Sequence, residues 1–202
     1  MKLYKLTDEN SQTRNKMQWG DGIERTAPGG GPLCTDRWLH AYTDPLIAVL
    51  MAPVYGYTDG VLWEAEGDVG LDDGTKVGCT RLKTVRQMAL PVVTAEQRIR
   101  FGILCALEVY HGEVFVSWAA KWLSGEERMS CTSILTYVLS AIESDEIQWE
   151  GTWAAKWAVQ AAYEQGGYMW DGVARAARQA ASAALADDAE INFVELAHRA
   201  LN

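Results

Sequence analysis

Pro91-Val92-Val93-Thr94-Ala95-Glu96-Gln97 is the stretch on which the fold turns. Proline lacks an N–H and breaks regular pairing, so Pro91 closes whatever precedes it. Thr94-x-x-Gln97 has the form of a capping box, in which the two side chains satisfy the free N–H groups of a new helix. Upstream, the apolar residues recur every second position; downstream they recur at helical spacing. The predicted fold class is therefore α+β. A β-rich domain with one short helix spans 1–93, and an alanine- and tryptophan-rich helical bundle or short solenoid spans 94–202.

Moving upstream, Val77 to Val85 reads as a strand, and Asp72-Asp73-Gly74 as the turn before it. Val61-Leu62-Trp63-Glu64-Ala65-Glu66 alternates as a half-buried strand does, which predicts Val61, Trp63 and Ala65 on one face and Leu62, Glu64 and Glu66 on the other. Asp44-Pro45 caps and opens a two-turn helix through Met51, which Pro53 stops. Trp38 to Tyr42 reads as an extended segment, and Leu3 to Leu6 as an opening strand. Asp8 to Pro32 is polar and turn-rich. Its Pro28-Gly29-Gly30-Gly31-Pro32 lacks the lysine of a phosphate loop and reads as a flexible connector or lid.

Moving downstream, helices are predicted over 95–110, 113–123, 128–143, 152–164, 168–185 and 189–201. Breaks fall at Gly112, Ser124-Gly125, Asp145, Gly151, Gly166-Gly167 and Asp187-Asp188. Trp118-Ala119-Ala120-Lys121-Trp122 recurs as Trp153-Ala154-Ala155-Lys156-Trp157. Each copy sets two indoles four residues apart on one helix face. The expectation is that all four tryptophans fill the bundle interior while Lys121 and Lys156 face water.

The chain carries a formal charge of −9. Residues 95–202 hold 15 Asp and Glu against 8 Lys and Arg, whereas residues 1–94 are nearly balanced. That excess repels nucleic-acid phosphates and suits a basic protein surface, so a host or phage protein is the expected partner and direct nucleic-acid binding is not. No apolar run suggests a signal peptide or a membrane span, so the expected location is cytoplasmic, away from membranes. Cys34, Cys79, Cys105 and Cys131 form no CxxC pair, and His40, His111 and His198 are isolated. Neither a metal nor a cofactor is expected.

Glu64-x-Glu66 is the one carboxylate pair with catalytic spacing. On a strand the two point the same way, roughly 7 Å apart, which suits paired acid/base work or ribose recognition. Ordinary solvated acids have the same spelling, so no catalytic set is assigned. His40, Trp38 and Trp63 are the candidates for lining a cleft. Glu126, Glu127, Glu143 and Glu146 are the candidates for a partner surface.

Trp38-Leu39-His40-Ala41-Tyr42-Thr43-Asp44-Pro45 with Leu46 to Leu50, then Leu62 to Gly67 and Lys76-Val77-Gly78-Cys79, resembles a domain of unknown function common in phage and prophage proteins. Its pattern is LHA…P…L, then EvE.G, then a Lys-led strand. Arg98 to Leu201 resembles the alanine-rich helical tails of such proteins and of some immunity proteins. The resemblance implies a non-enzymatic accessory protein, one that blocks a host defence system or another host machine by binding it. The strand–helix–strand order also resembles ADP-ribosyltransferase-like scaffolds. There Glu64 and Glu66 would correspond to an E-x-E pair, but the companion Arg and Ser-Thr-Ser strand are not found. The alternative function is thus such an enzyme, or a nucleotide-ligand binder using the N-terminal half.

Overall fold

The computed structural model describes residues 1–52, 60–126, 132–144, 149–163 and 167–202. The chain is α+β and falls into two compact units, Met1–Val92 and Val93–Asn202.

The first unit is built on a long hairpin. Strands β6 (Val61–Asp72) and β7 (Val77–Met88) pair antiparallel around a turn at Asp73 to Lys76. Side-chain oxygens make that turn: Asp72 Oδ1 accepts from Gly74 N at 2.8 Å, and Asp73 Oδ1 accepts from the N–H groups of Thr75 and Lys76 at 2.9 and 2.8 Å. Such Asx contacts fix a turn without help from neighbouring strands. Strand β1 (Lys2–Thr7) pairs with β6. The far edge of β7 carries both β5 (Leu39–Ala41) and β4 (Glu24–Thr26).

Tyr42, just past β5, then exchanges two backbone hydrogen bonds with Tyr4 of β1, at 2.8 and 2.9 Å. The order β1–β6–β7–β5 therefore returns to β1, and the sheet closes on itself, which removes the exposed strand edges an open sheet would present. Three register shifts along β6 and β7 supply the bend that closure needs. Leu3, Leu39, Ala41, Ala65, Val77, Cys79 and Leu82 fill the inside, together with Trp19.

Two expectations for this unit are corrected. The Asp8–Pro32 stretch, expected to be polar and turn-rich, also contains regular structure. It holds β2 (Gln12–Thr13) paired with β3 (Met17–Gln18), a single 3-10 turn between them at Arg14–Lys16, and the edge strand β4. Trp19, 1% exposed, anchors it in the core, and its Nε1 donates to Thr13 Oγ1 at 2.9 Å. The proline-flanked glycines are also pinned, since Arg37 Nε donates to the carbonyls of Gly29 and Gly30 at 2.8 and 2.9 Å. Nor does β6 start with one wet face. Leu62 and its cross-strand partner Leu6 are buried, as are Trp63 and Ala65, so the polar face begins only at Glu64. Helix α1 (Pro45–Met51) forms as its cap predicts, Asp44 accepting from Leu46 N at 2.7 Å. Pro53 lies outside the described residues.

The second unit contains six helices: α2 (Ala95–Leu107), α3 (Glu113–Ser124), α4 (Thr132–Ser144), α5 (Trp149–Tyr163), α6 (Gly167–Ala186) and α7 (Phe193–Ala200). No described residue of this unit is in a strand. The Thr94–Gln97 capping box is formed in both directions, at 2.9 and 3.2 Å. Helix α2 is buried on most sides, at Ile99 and from Phe101 through Ala106, and packs against α3, α5, α6 and α7. An all-round apolar helix of this kind belongs at the centre of its unit. Gly125 ends α3 at φ +88°, a conformation that glycine adopts without strain.

Gly151 is not a break, as expected, but a buried residue inside α5. The α5–α6 seam is made of small side chains. Ala154, Ala155, Ala158 and Ala161 of α5 face Ala174, Ala177, Ala181 and their neighbours on α6, all buried. A Cβ on Gly172 would sit 3.2 Å from that of Ala161, so the two helices approach about as closely as backbones allow. In such a seam glycine is tolerated because contact replaces the helix propensity it lacks.

Candidate functional site

Both carboxylates of the Glu64/Glu66 pair sit on β6. Glu64 lies between two cations from neighbouring strands, Lys2 Nζ at 3.3 Å and Arg86 at 2.6 Å. The Arg86 hydrogen bond is the main cause that holds its carboxyl below the usual range, so Glu64 stays ionised and bonded. Glu66 is exposed. On the same sheet Arg81 pairs with Asp68 at 2.9 Å and with Glu24 at 3.3 Å. Together these make a solvated ladder of cross-strand charges, the usual way a sheet face meets water. A general acid or base needs an unengaged, partly dry group, and Glu64 is neither.

The three cleft candidates have structural partners. Trp38 is 8% exposed and lies flat over glycines: a Cβ on Gly70 would come within 2.5 Å of its ring, and one on Gly78 within 3.0 Å. Its Nε1 donates to the carbonyl of Gly31 at 3.2 Å, so the indole is the peg that holds the glycine-rich loop. His40 Nε2 meets the carbonyl of Leu33 at 2.6 Å, and burial pushes the imidazole toward its neutral form. Trp63, 7% exposed, is packed into the sheet's buried side, where its Nε1 finds no hydrogen-bond partner among the described residues.

Lys5 was not singled out by the sequence. It points into the closed sheet and is 7% exposed. Its ammonium donates to the carbonyl of His40 at 2.5 Å and lies 5.0 Å from the centre of the Trp19 ring. Burial pulls its pKa down to about 8, and the buried thiol of Cys79 is pushed up to about 11 for the same reason. The one available signal is that Lys5 breaks the apolar run of β1.

In the helical unit, Glu126 and Glu143 are exposed, whereas Glu127 and Glu146 lie outside the described residues. Glu143 reaches Lys156 at 3.4 Å. Among the described residues of this unit ten exposed carboxylates stand against four exposed Lys and Arg. Glu126, Glu143 and Glu150 are joined by Asp187, Asp188, Glu190 and Glu195 toward the C-terminus.

A second feature is an open groove of about 440 Å³ between α3 and α4. Val114, Ser117 and Trp118 form one wall; Ile134, Tyr137 and Val138 form the other. Glu113 stands at the start of α3 and Lys121 in its last turn, so the groove has a negative and a positive end. Tyr137, 64% exposed, stands at the rim.

Among the described residues no group of three or more His, Cys, Asp or Glu could hold a metal ion, and no helix is long and apolar enough to cross a membrane. Cys79 and Cys105 are buried as free thiols and Cys34 is exposed. Cys131 lies outside the described residues. The fold and these surfaces define an α+β protein that joins a closed β unit to an alanine-seamed helical one. No protein-family model, curated protein or solved structure matches the chain.

Proposed function

We propose that this chain is a non-enzymatic interaction protein whose helical unit engages a basic surface on another protein. The excess of ten exposed carboxylates over four exposed cations on that unit carries the reading. A field of one sign steers a complementary partner and speeds its encounter. The candidates for chemistry offer no competing site: Glu64 is held by Lys2 and Arg86, and His40 by the Leu33 carbonyl. A phage or prophage accessory protein that blocks a host defence or another host machine, as the resemblance implies, would act in this way.

The test is affinity capture from a bacterial lysate with three baits: the wild type, Glu126→Lys/Glu143→Lys/Glu150→Lys, and Glu64→Gln/Glu66→Gln. The expected result is one partner, held by the wild type and the Gln bait, lost by the Lys bait, and held more tightly as salt is lowered. A partner lost with the Gln bait and kept with the Lys bait would place the function on the β unit and refute this proposal.

A further inference from the structure

Lys5 places a cation inside the closed sheet of the first unit, and among the described residues no carboxylate pairs with it. An ammonium has three N–H donors. One goes to the His40 carbonyl at 2.5 Å, and the Trp19 ring lies 5.0 Å away at its centre. The other two donors find no acceptor among the described residues. Of the described titratable groups only Cys79 favours the charged form, and its buried thiol keeps its proton to about pH 11.

Trp63 is a second donor in the same position. It is the register partner of Lys5 across β1 and β6, so both side chains leave the same face of the sheet. That face is the inner one, because Leu3 and Ala65, the next pair along it, belong to the core. The indole is 7% exposed, and its buried Nε1 has no hydrogen-bond partner among the described residues. The hydroxyl protons of Thr7 and Thr84, both fully buried, are already committed to backbone carbonyls of Asp8, Val61, Gly20 and Ile23.

A buried donor without an acceptor loses its hydration and gains nothing, and a buried charge loses far more. Water against Lys5 would accept hydrogen bonds but leave the charge uncompensated. An anion does both. It has to be small, since leucine, valine and tryptophan side chains already fill the interior. It has to be singly charged, since one ammonium balances one negative charge. A halide meets both conditions, accepts from several directions and brings no proton of its own to place. We propose that the closed sheet binds one halide ion, chloride in ordinary solution, against the Lys5 ammonium with Trp63 Nε1 as a second donor. This site is independent of the acidic helical surface.

The test compares urea unfolding in sodium chloride and in sodium gluconate at equal ionic strength, gluconate being too large to enter. Wild type, Lys5→Met and Trp63→Phe are measured in both, so the general salt effect cancels in the difference between variants. Once chloride exceeds its Kd, each tenfold rise should increase the wild-type folding constant about tenfold. Lys5→Met keeps the side chain's length, removes its charge and should show no such response. Trp63→Phe should respond only at about tenfold or more higher chloride, having lost one hydrogen bond to the ion. In crystals grown with bromide, an anomalous peak should stand against Lys5 Nζ in the wild type and vanish in Lys5→Met. A wild type equally stable in the two salts overturns the proposal. So does a chloride response that Lys5→Met retains or Trp63→Phe leaves unshifted, or a water where the bromide should be.

Discussion

The pentapeptide Trp-Ala-Ala-Lys-Trp occurs twice, and its two copies are turned differently. In α3 the first indole, the first alanine and the last indole are buried: Trp118 at 5%, Ala119 at 0% and Trp122 at 3% exposed. In α5 the two alanines are buried, Trp153 is 42% exposed and Trp157 is half-buried. The buried stripe has rotated by roughly 100°, one residue's share of a helical turn. Flanking residues set the rotation. Phe115 extends the α3 stripe through both tryptophans, while Gly151, Ala158 and Ala161 extend the α5 stripe through the alanines. A five-residue motif has no orientation of its own; the helix around it decides which side is inside. The rejected indoles still find partners, stacking on each other at 6.4 Å with Lys156 over Trp153 and Arg175 over Trp157. The expectation of four buried tryptophans thus holds for α3 and fails for α5. Lys121 is exposed as expected, but Lys156 is half-buried against Trp153.

The sharpest way to break this contrast is to empty one site in each copy. Trp122→Ala should cost about 3–5 kcal/mol, the usual range for removing a buried indole, measured by chemical denaturation. Next in size is the α5 seam. Ala158→Leu forces a large side chain where two backbones nearly touch, and should cost about 1–3 kcal/mol. Trp153→Ala should cost less than about 1 kcal/mol, since it removes a surface stack and one cation–π contact and leaves no internal cavity. If Trp153→Ala and Trp122→Ala proved equally damaging, the two copies would not differ as described. Smallest of all, Lys156→Met, which removes a cation over an exposed ring, should shift stability by about 0.5 kcal/mol or less.

The same logic explains what could be read in advance. Boundaries of the C-terminal helices are announced by local chemistry in three places: the Thr94–Gln97 box opens α2, Gly125 ends α3, and Asp187-Asp188 separates α6 from α7. The hairpin was legible from Asp72-Asp73-Gly74, because its turn is held by its own side chains. Features that depend on distant partners were not. Strand β4 is three exposed residues between Ile23 and Ala27, and only its pairing with Arg81 to Lys83 makes it a strand. Closure of the sheet hangs on Tyr42 finding Tyr4, two residues with nothing local to mark them. Gly151 reads as a stop, yet it is buried inside α5, and nothing local marks it as an interior residue. At the candidate site the spacing of Glu64 and Glu66 was visible, while the cations that engage Glu64 come from two other strands. The packing of Trp38 was not legible because the glycines against it, Gly70 and Gly78, lie on strands far along the chain.

Lys5, enclosed by the sheet, makes folding of the first unit a proton-exchange reaction. An unfolded lysine holds its proton to about pH 10.4, whereas Lys5 in the folded unit parts with it near 8. Above pH 8 folding therefore releases a proton, and stability rises with pH. Cys79 acts in the opposite sense. It keeps its thiol proton to about pH 11, while the unfolded thiol starts to lose its own near 9, so folding takes a proton up and stability falls as pH rises. Over about pH 9–10 the two contributions offset each other. Net release is confined to about pH 8–9, where the slope reaches at most about 1.4 kcal/mol per pH unit. Lys5→Met should flatten the slope below pH 9 and uncover the Cys79 decline above it.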